Sequence, residues 1–323
     1  MTPKLPPTLT GHSALATAML CSLEAAANPL DDVQEIQVEV LLKAGETWDG
    51  EPLPSYPRGP AEVSIIRLTV PPGKSLPIHR HPLINGGMLL SGELTLRTER
   101  GDHKVLRAGE PLLEVVNSWH AGHNAGTEPA VALVFYIGTP GLPLTELRPL
   151  NSEMISERFG SYGIEILAAE GDWRVSNLYS LEDGHPVTRT LAAVRFLPGP
   201  DPALAAPHAV IMDGGSIGRA LKSAGWNVWK THHAVAQLDD LGDQPALWAA
   251  MDVEDPGALA VHRYRLVAAQ GEAFIGYADI IELHHPDYLD TGRLADLFDA
   301  TPGSLPDDTR ALLDQALAAL ARR

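Results

Sequence analysis

The sequence predicts a mostly β protein: an antiparallel barrel or jelly roll over residues 36–147, followed by an α+β domain over residues 148–323. Three observations carry this. Between Val63 and Tyr136 the chain is cut into short alternating runs by Gly, Pro, Asn and Asp, the pattern of antiparallel strands in a closed or double-sheet architecture. A Gly/Pro break, Gly138-Thr139-Pro140-Gly141-Leu142-Pro143, then marks the end of the first unit. Beyond it, strand-like and helix-like stretches alternate.

Residues 1–35 are rich in Pro, Thr and Ala and read as a lead-in with a short helix or no regular structure. Alternation predicts a first strand over Val33–Leu42, with Trp48 in the following loop either capping the mouth of the barrel or stapled to its outer wall. Strands follow at Val63–Val70, Met88–Arg97, His103–Leu106, Pro111–Val116 and Val131–Tyr136. In the second part strands are expected at Ile164–Ala168, Trp173–Ser180 and Val187–Phe196, then helices over Ala203–Met212 and Ser216–Ala224, with Ser216 as N-cap and Gly225 as stop. Strands over Asn227–Leu238, Leu259–Ala268 and Ala273–Leu283 precede a last helix, Asp307–Ala321. Its start is read from a Ser304/Asp307 capping box and its buried face from Leu313, Leu317 and Leu320. The succession also fits a tandem β-β-β-α duplication.

Composition bounds the function. The 323 residues carry a net charge of −17, which argues against a grip on nucleic-acid backbones or anionic membranes. The single cysteine, Cys21, excludes an internal disulfide framework and a cysteine-based zinc cluster. No apolar run is long enough to span a bilayer. The expected location is cytoplasmic, or periplasmic if residues 1–27 act as a secretory signal.

The chemistry concentrates between Gly73 and Asn124. His79 and His81 form an H-x-H pair, which an extended strand turns to one face, and His120 lies on a later strand. Gly73, His79, His81 and Gly92 fit the pattern G-x5-H-x-H-x3-E-x6-G, with Asn85 at the Glu position. Gly109, His120 and Asn124 fit G-x5-P-x-G-x2-H-x3-N, with Val115 and Asn117 in place of Pro and Gly. These two motifs resemble those of the cupin superfamily, with seven of ten positions in register. No second H-x-H motif occurs, which argues against a two-barrel member.

The resemblance implies a divalent metal (Fe, Zn, Ni, Mn or Cu) on His79, His81 and His120, with Asn85 a further candidate ligand. The alternative is a metal-free barrel whose histidines line a polar pocket. A carboxamide at 85 neutralises none of the ion's charge, favouring anionic ligands at the cost of metal retention. Trp119, His123 and Asn124 are candidate pocket residues, and Glu114 is a candidate acid–base group if it faces inward. The barrel is then either a metal-dependent enzyme, such as an oxygenase or isomerase, acting on a small and perhaps anionic organic molecule, or a sensor that binds one. A third reading makes the barrel a homodimerisation module for a functional second domain. Fold does not choose among these.

Other groups carry weaker readings. His232-His233 and His284-His285 point to opposite faces within each pair and cannot chelate alone, which leaves a metal site only where one histidine of each pair meets the other across a sheet. Asp213-Gly214-Gly215-Ser216 offers an anion cradle. Arg174, Arg189, Arg195, Arg263 and Arg265 alternate with apolar residues and predict the wet face of a sheet, or else an anion-binding face.

Overall fold

The computed structural model describes residues 37–199, 201–238, 245–251, 253, 259–298 and 300–322. The expectations for residues 1–35, including a signal segment and Cys21, and the first four residues of the predicted strand 33–42, lie outside these. Residues 37–42 carry no strand and are exposed.

Nine strands make two facing sheets. Strands β1 (Glu62–Val70), β3 (Ile84–Ser91), β6 (Pro111–Leu113) and β8 (Ala130–Gly138) form one, in the order β1-β8-β3-β6. Strands β2 (His79–Arg80), β4 (Glu93–Thr98), β5 (His103–Arg107), β7 (His120–His123) and β9 (Glu146–Leu147) form the other, in the order β5-β4-β7-β2-β9. All pairs are antiparallel, and the inward residues of each strand, among them Val70, Leu89, Leu94, Leu96, Leu106 and Leu112, build the core between the sheets. The predicted strand 88–97 is two strands broken at Gly92. There φ is +76°, and a Cβ would lie 2.7 Å from the Pro129 carbonyl oxygen, so only glycine fits this corner. Strand β9 pairs with β2, so the sandwich extends past the Gly/Pro break to residue 147.

A six-stranded antiparallel sheet follows. Its strands are β10 (Gly163–Glu170), β11 (Trp173–Glu182), β12 (His185–Phe196), β13 (Asn227–Leu238), β14 (Leu259–Gln270) and β15 (Ala273–His284), in the order β10-β11-β12-β15-β14-β13. Two three-stranded meanders thus join edge to edge through β12 and β15. Helices α1 (Asn151–Phe159), α2 (Ala205–Met212), α3 (Ile217–Ser223) and α5 (Thr291–Phe298) cover one face, and α4 (Pro245–Met251) and α6 (Asp307–Ala321) the other. Helix α6 has the expected bounds, and Leu313, Leu317 and Leu320 are buried, but its N-cap is Pro306 without a side-chain cap, not a Ser304/Asp307 box. Ser216 is the N-cap of α3 by backbone conformation alone; its side chain makes no capping hydrogen bond.

Helices cover both faces of the sheet, which corrects the reading of Arg174 and Arg189, while Arg195, Arg263 and Arg265 stay half-buried. Arg174 and Arg189 are buried. Arg189 donates to Ser180 Oγ (2.8 Å) and pairs with Glu182, its guanidinium stacked over Phe159. Arg265 makes a two-pronged pair with Asp279, and Arg195 donates to Gln315.

The second sheet also packs against the first unit. Ile78 and Ala121, on the outer side of β2 and β7, meet Trp229, Val267 and Ala269 of β13 and β14. Asn227 Nδ2 donates to the Leu76 carbonyl oxygen at 2.9 Å.

Candidate functional site

Register assembles the first cluster. His79 on β2 lies directly opposite His120 on β7, and His81 is two residues further along the same strand direction. The three rings are buried, with centroids 4.3, 4.9 and 5.0 Å apart. Each Nδ1 sits against a main-chain carbonyl oxygen: His79 at Pro77 (2.7 Å), His81 at Leu144 (2.8 Å), His120 at Ser118 (2.9 Å). A carbonyl only accepts, so Nδ1 must carry the proton in all three, and Nε2 presents its lone pair. Burial pushes each imidazole down to about 4, which keeps all three neutral at pH 7. One nitrogen from each ring lies within 4.8 Å of the other two. Three neutral imidazoles with a ring nitrogen each at this separation are a donor set that suits a divalent ion.

The triad forms the polar end of a cavity of about 200 Å³ between the two sheets. Its other walls are apolar, with Leu68, Leu94, Leu96, Leu112 and Val134 among them. Asn85 lines it, fully buried, and its Oδ1 has no hydrogen-bond partner. Tyr136 stands edge-on to His81, its centroid 5.4 Å away, and burial raises its phenol.

Glu114 faces inward. Trp48 Nε1 donates to its Oε1 (2.9 Å), which places Trp48 on the interior side and not on the outer wall, and that same oxygen lies 3.8 Å from His120 Nε2. The Glu114 amide donates to the Asn85 carbonyl oxygen at 3.1 Å, so positions 85 and 114 are neighbours across β3 and β6. A carboxylate is therefore present beside the triad, one strand away from where the motif places it.

The remaining candidates are not in the lining of this cavity. Trp119 lies on the other side of its strand, between the guanidinium groups of Arg80 (4.9 Å) and Arg148 (4.6 Å), and lines a groove toward the second sheet. His123 Nδ1 is bonded to Ser75 Oγ, and its Nε2 side approaches Gly271. Asn124 is structural: its Nδ2 donates to the Val70 and Glu128 carbonyls and its Oδ1 accepts from the Gly126 amide. His103 is exposed.

A second polar cluster went unseen in the sequence. On the helix-covered face of the large sheet, Lys230 Nζ lies 3.5 Å from Glu282 Oε2, and both are buried. Burial alone would raise the Glu282 carboxyl, but Lys230 and the neighbouring histidines hold it well below its usual range. His262 Nδ1 (3.8 Å) and His284 Nε2 (4.0 Å) flank the carboxylate, and His233 Nδ1 meets His262 Nε2 at 2.9 Å. His284 faces Glu282, and His285 accepts from the Asp287 amide in the following turn. A strand bulge between Thr231 and Ala234 leaves His232 exposed, at φ +54°. The Gly-Gly turn is no anion cradle: Arg174 donates to the carbonyls of Ile211 (2.7 Å) and Gly215 (3.1 Å).

Burial pushes His284 down to about 4, with Lys230 adding to the effect against Glu282. The unfolded imidazole takes a proton near its ordinary 6.5, the folded one only near 4, so stability is intact above pH 6.5 and falls as pH drops through that window. The contribution of this one group is roughly 1.4 kcal/mol per pH unit. Urea denaturation of His284→Gln between pH 7 and 4 should show a slope shallower by about one proton, and an unchanged slope would contradict the buried neutral ring.

A two-sheet sandwich with three clustered histidines on facing strands defines a class, and the family comparison agrees. Residues 66–136 match the family model described as Cupin domain, and the chain carries a cupin domain. Among solved structures, an oxalate oxidase in complex with the substrate analogue glycolate is 28% identical over 25% of this chain and 45% of its own, with a TM-score of 0.23. A DMSP lyase from Ruegeria pomeroyi is 24% identical, over 26% of this chain and 42% of its own, at a TM-score of 0.24. An uncharacterized conserved protein with a double-stranded β-helix domain from Klebsiella pneumoniae is 20% identical, over 40% and 96%, also at 0.24. The chain spans less than half the length of the first two. No curated protein matches. Among the described residues no helix is long and apolar enough to cross a membrane.

Proposed function

We propose that the cupin domain is a metal-dependent enzyme for a small monoanionic organic molecule, with His79, His81 and His120 holding a divalent ion. The observation that carries this reading is the tautomer lock: three backbone carbonyls fix three Nδ1 protons, so three Nε2 lone pairs meet at the polar end of an apolar cavity. Bound there, the ion would act as a Lewis acid toward a ligand's oxygen. Three neutral imidazoles and one carboxylate, Glu114, leave a dication with one unanswered positive charge, which a monoanion matches. The apolar walls take the ligand's hydrocarbon part and exclude water.

Glu114 is the proton acceptor in this reading, held by Trp48 and reaching into the site. Asn85, with its free Oδ1, orients the ligand or the ion. Elemental analysis of untagged protein should find about one divalent ion per chain, and metal-free protein of full stability would overturn the proposal. Turnover of small monocarboxylates is expected to fall about 100-fold or more in Glu114→Gln with metal content preserved. Asn85→Glu should bind the ion more tightly, and unchanged affinity would remove residue 85 from its surroundings.

The same reading includes a homodimer. Val63 and Ile65 of β1 stand beside Phe135 and Ile137 of β8 as an exposed apolar face of the four-stranded sheet. Sedimentation of the protein as a monomer at micromolar concentration would remove that part alone.

A further inference from the structure

We propose that the large sheet carries a second, independent site, which binds a small monocarboxylate in a cavity under α1. The cavity, about 60 Å³, sits over Ala192, whose methyl group is the small member of a cross-strand row. Ser176 of β11, Ala192 of β12 and Glu282 of β15 are register partners in that row. Arg174, two residues before Ser176, shares its face of the sheet.

Three donors in this cavity are left over: the Tyr162 hydroxyl, Arg174 Nε–H and Ser176 Oγ–H. Arg174 is only 4% exposed; its terminal nitrogens are spent on the Ile211 and Gly215 carbonyls, and its Nε–H has no partner. Ser176, 1% exposed, has an unpartnered Oγ. Both line the cavity. Charge points the same way. Lys230 has Glu282, whereas Arg174 is hydrogen-bonded only to neutral carbonyls, and burial disfavours its charged form. A buried guanidinium without an anion is a standing cost, and a bound carboxylate removes it. One carboxylate would accept from Arg174 Nε and Ser176 Oγ together, in charge-assisted bonds.

Size and polarity limit the ligand. The volume exceeds what one water needs several-fold, and is far smaller than an ordinary cofactor site. Ile164, Leu178 and Val194 in the lining suit a short aliphatic tail. Glu282, already paired with Lys230, opposes a second carboxylate on the same ligand. The site therefore selects acids of the formate-to-propionate class.

The test uses the full chain carrying His120→Ala, so that the triad cannot contribute. Calorimetric titration with propionate should give one site per chain, with propionamide binding at least about tenfold more weakly. Arg174 also ties the α2–α3 turn, so its own variant risks misfolding; Ser176→Ala and the cavity-filling Ala192→Leu serve instead. Binding should weaken in the first and vanish in the second, while both keep the parent's far-UV spectrum. Absence of formate, acetate and propionate binding at millimolar concentration, or binding that survives Ala192→Leu, would overturn the proposal and leave the cavity to water.

Discussion

Replacing His120 with alanine is expected to empty the metal site of the cupin domain. His120 is the one member of the triad brought in by β7, and its Nε2 also faces Glu114. Losing one of three neutral ligands should weaken divalent-metal affinity by at least about 100-fold, more than loss of an outer hydrogen-bond partner does. The ring contributes no hydrogen bond to β pairing beyond its Nδ1 contact with Ser118, so near-native circular dichroism should accompany the loss. Equilibrium dialysis against zinc or cobalt reads the effect directly. An affinity within a few-fold of the natural protein's would mean that these rings do not hold the ion.

The second large effect concerns stability. Lys230→Met should destabilise the chain by about 3–5 kcal/mol, because it strands the Glu282 carboxylate in the interior without its cation. Asn151 Nδ2 (3.2 Å) and the Tyr264 hydroxyl still donate to that carboxylate, but neither carries charge. The double variant Lys230→Met/Glu282→Gln removes the stranded charge and should recover at least half of the loss. Urea denaturation at pH 7 measures both. A single-variant cost under about 1 kcal/mol would show that water reaches Glu282.

Much of the histidine cluster was legible because its spacing is local. An H-x-H pair on a strand needs only the period of two, and Gly92 marks a corner that no side chain can turn. The departure at Asn85 was equally plain. Its compensation was not: Glu114 is an ordinary strand carboxylate in sequence, and its inward aim follows from β6 lying beside β3 and from Trp48 arriving 66 residues away. The histidines of the triad were readable, whereas Trp119, His123 and Asn124, adjacent in sequence, serve packing and turns.

In the second part the errors share one cause. Arg174 and Arg189 both end on the α1 side of the sheet, Arg189 only through the register shift of β12 opposite Leu178 and Tyr179, and whether that side is wet depends on helices brought in from elsewhere. Two of those helices, α1 and α5, are nine and eight residues long and left no periodic signature, and neither did the seven-residue α4 on the other face. Lys230 is the one Lys, Arg, Asp or Glu of β13, and Glu282 shares β15 with Asp279 alone. That is a usable sign of burial with a partner, but it does not say which partner.

Each ligand strand of the cupin domain presents a histidine inward and a small or aliphatic neighbour outward. Ile78 and Ala121, next to His79 and His120, are seated on Trp229, Val267 and Ala269. The coordinating rings are thus buttressed from behind by the other half of the molecule. A fragment cut at residue 147 would expose that seam and let β2, only two residues long, drift against β7. The geometry of the three rings is in this sense a property of both halves.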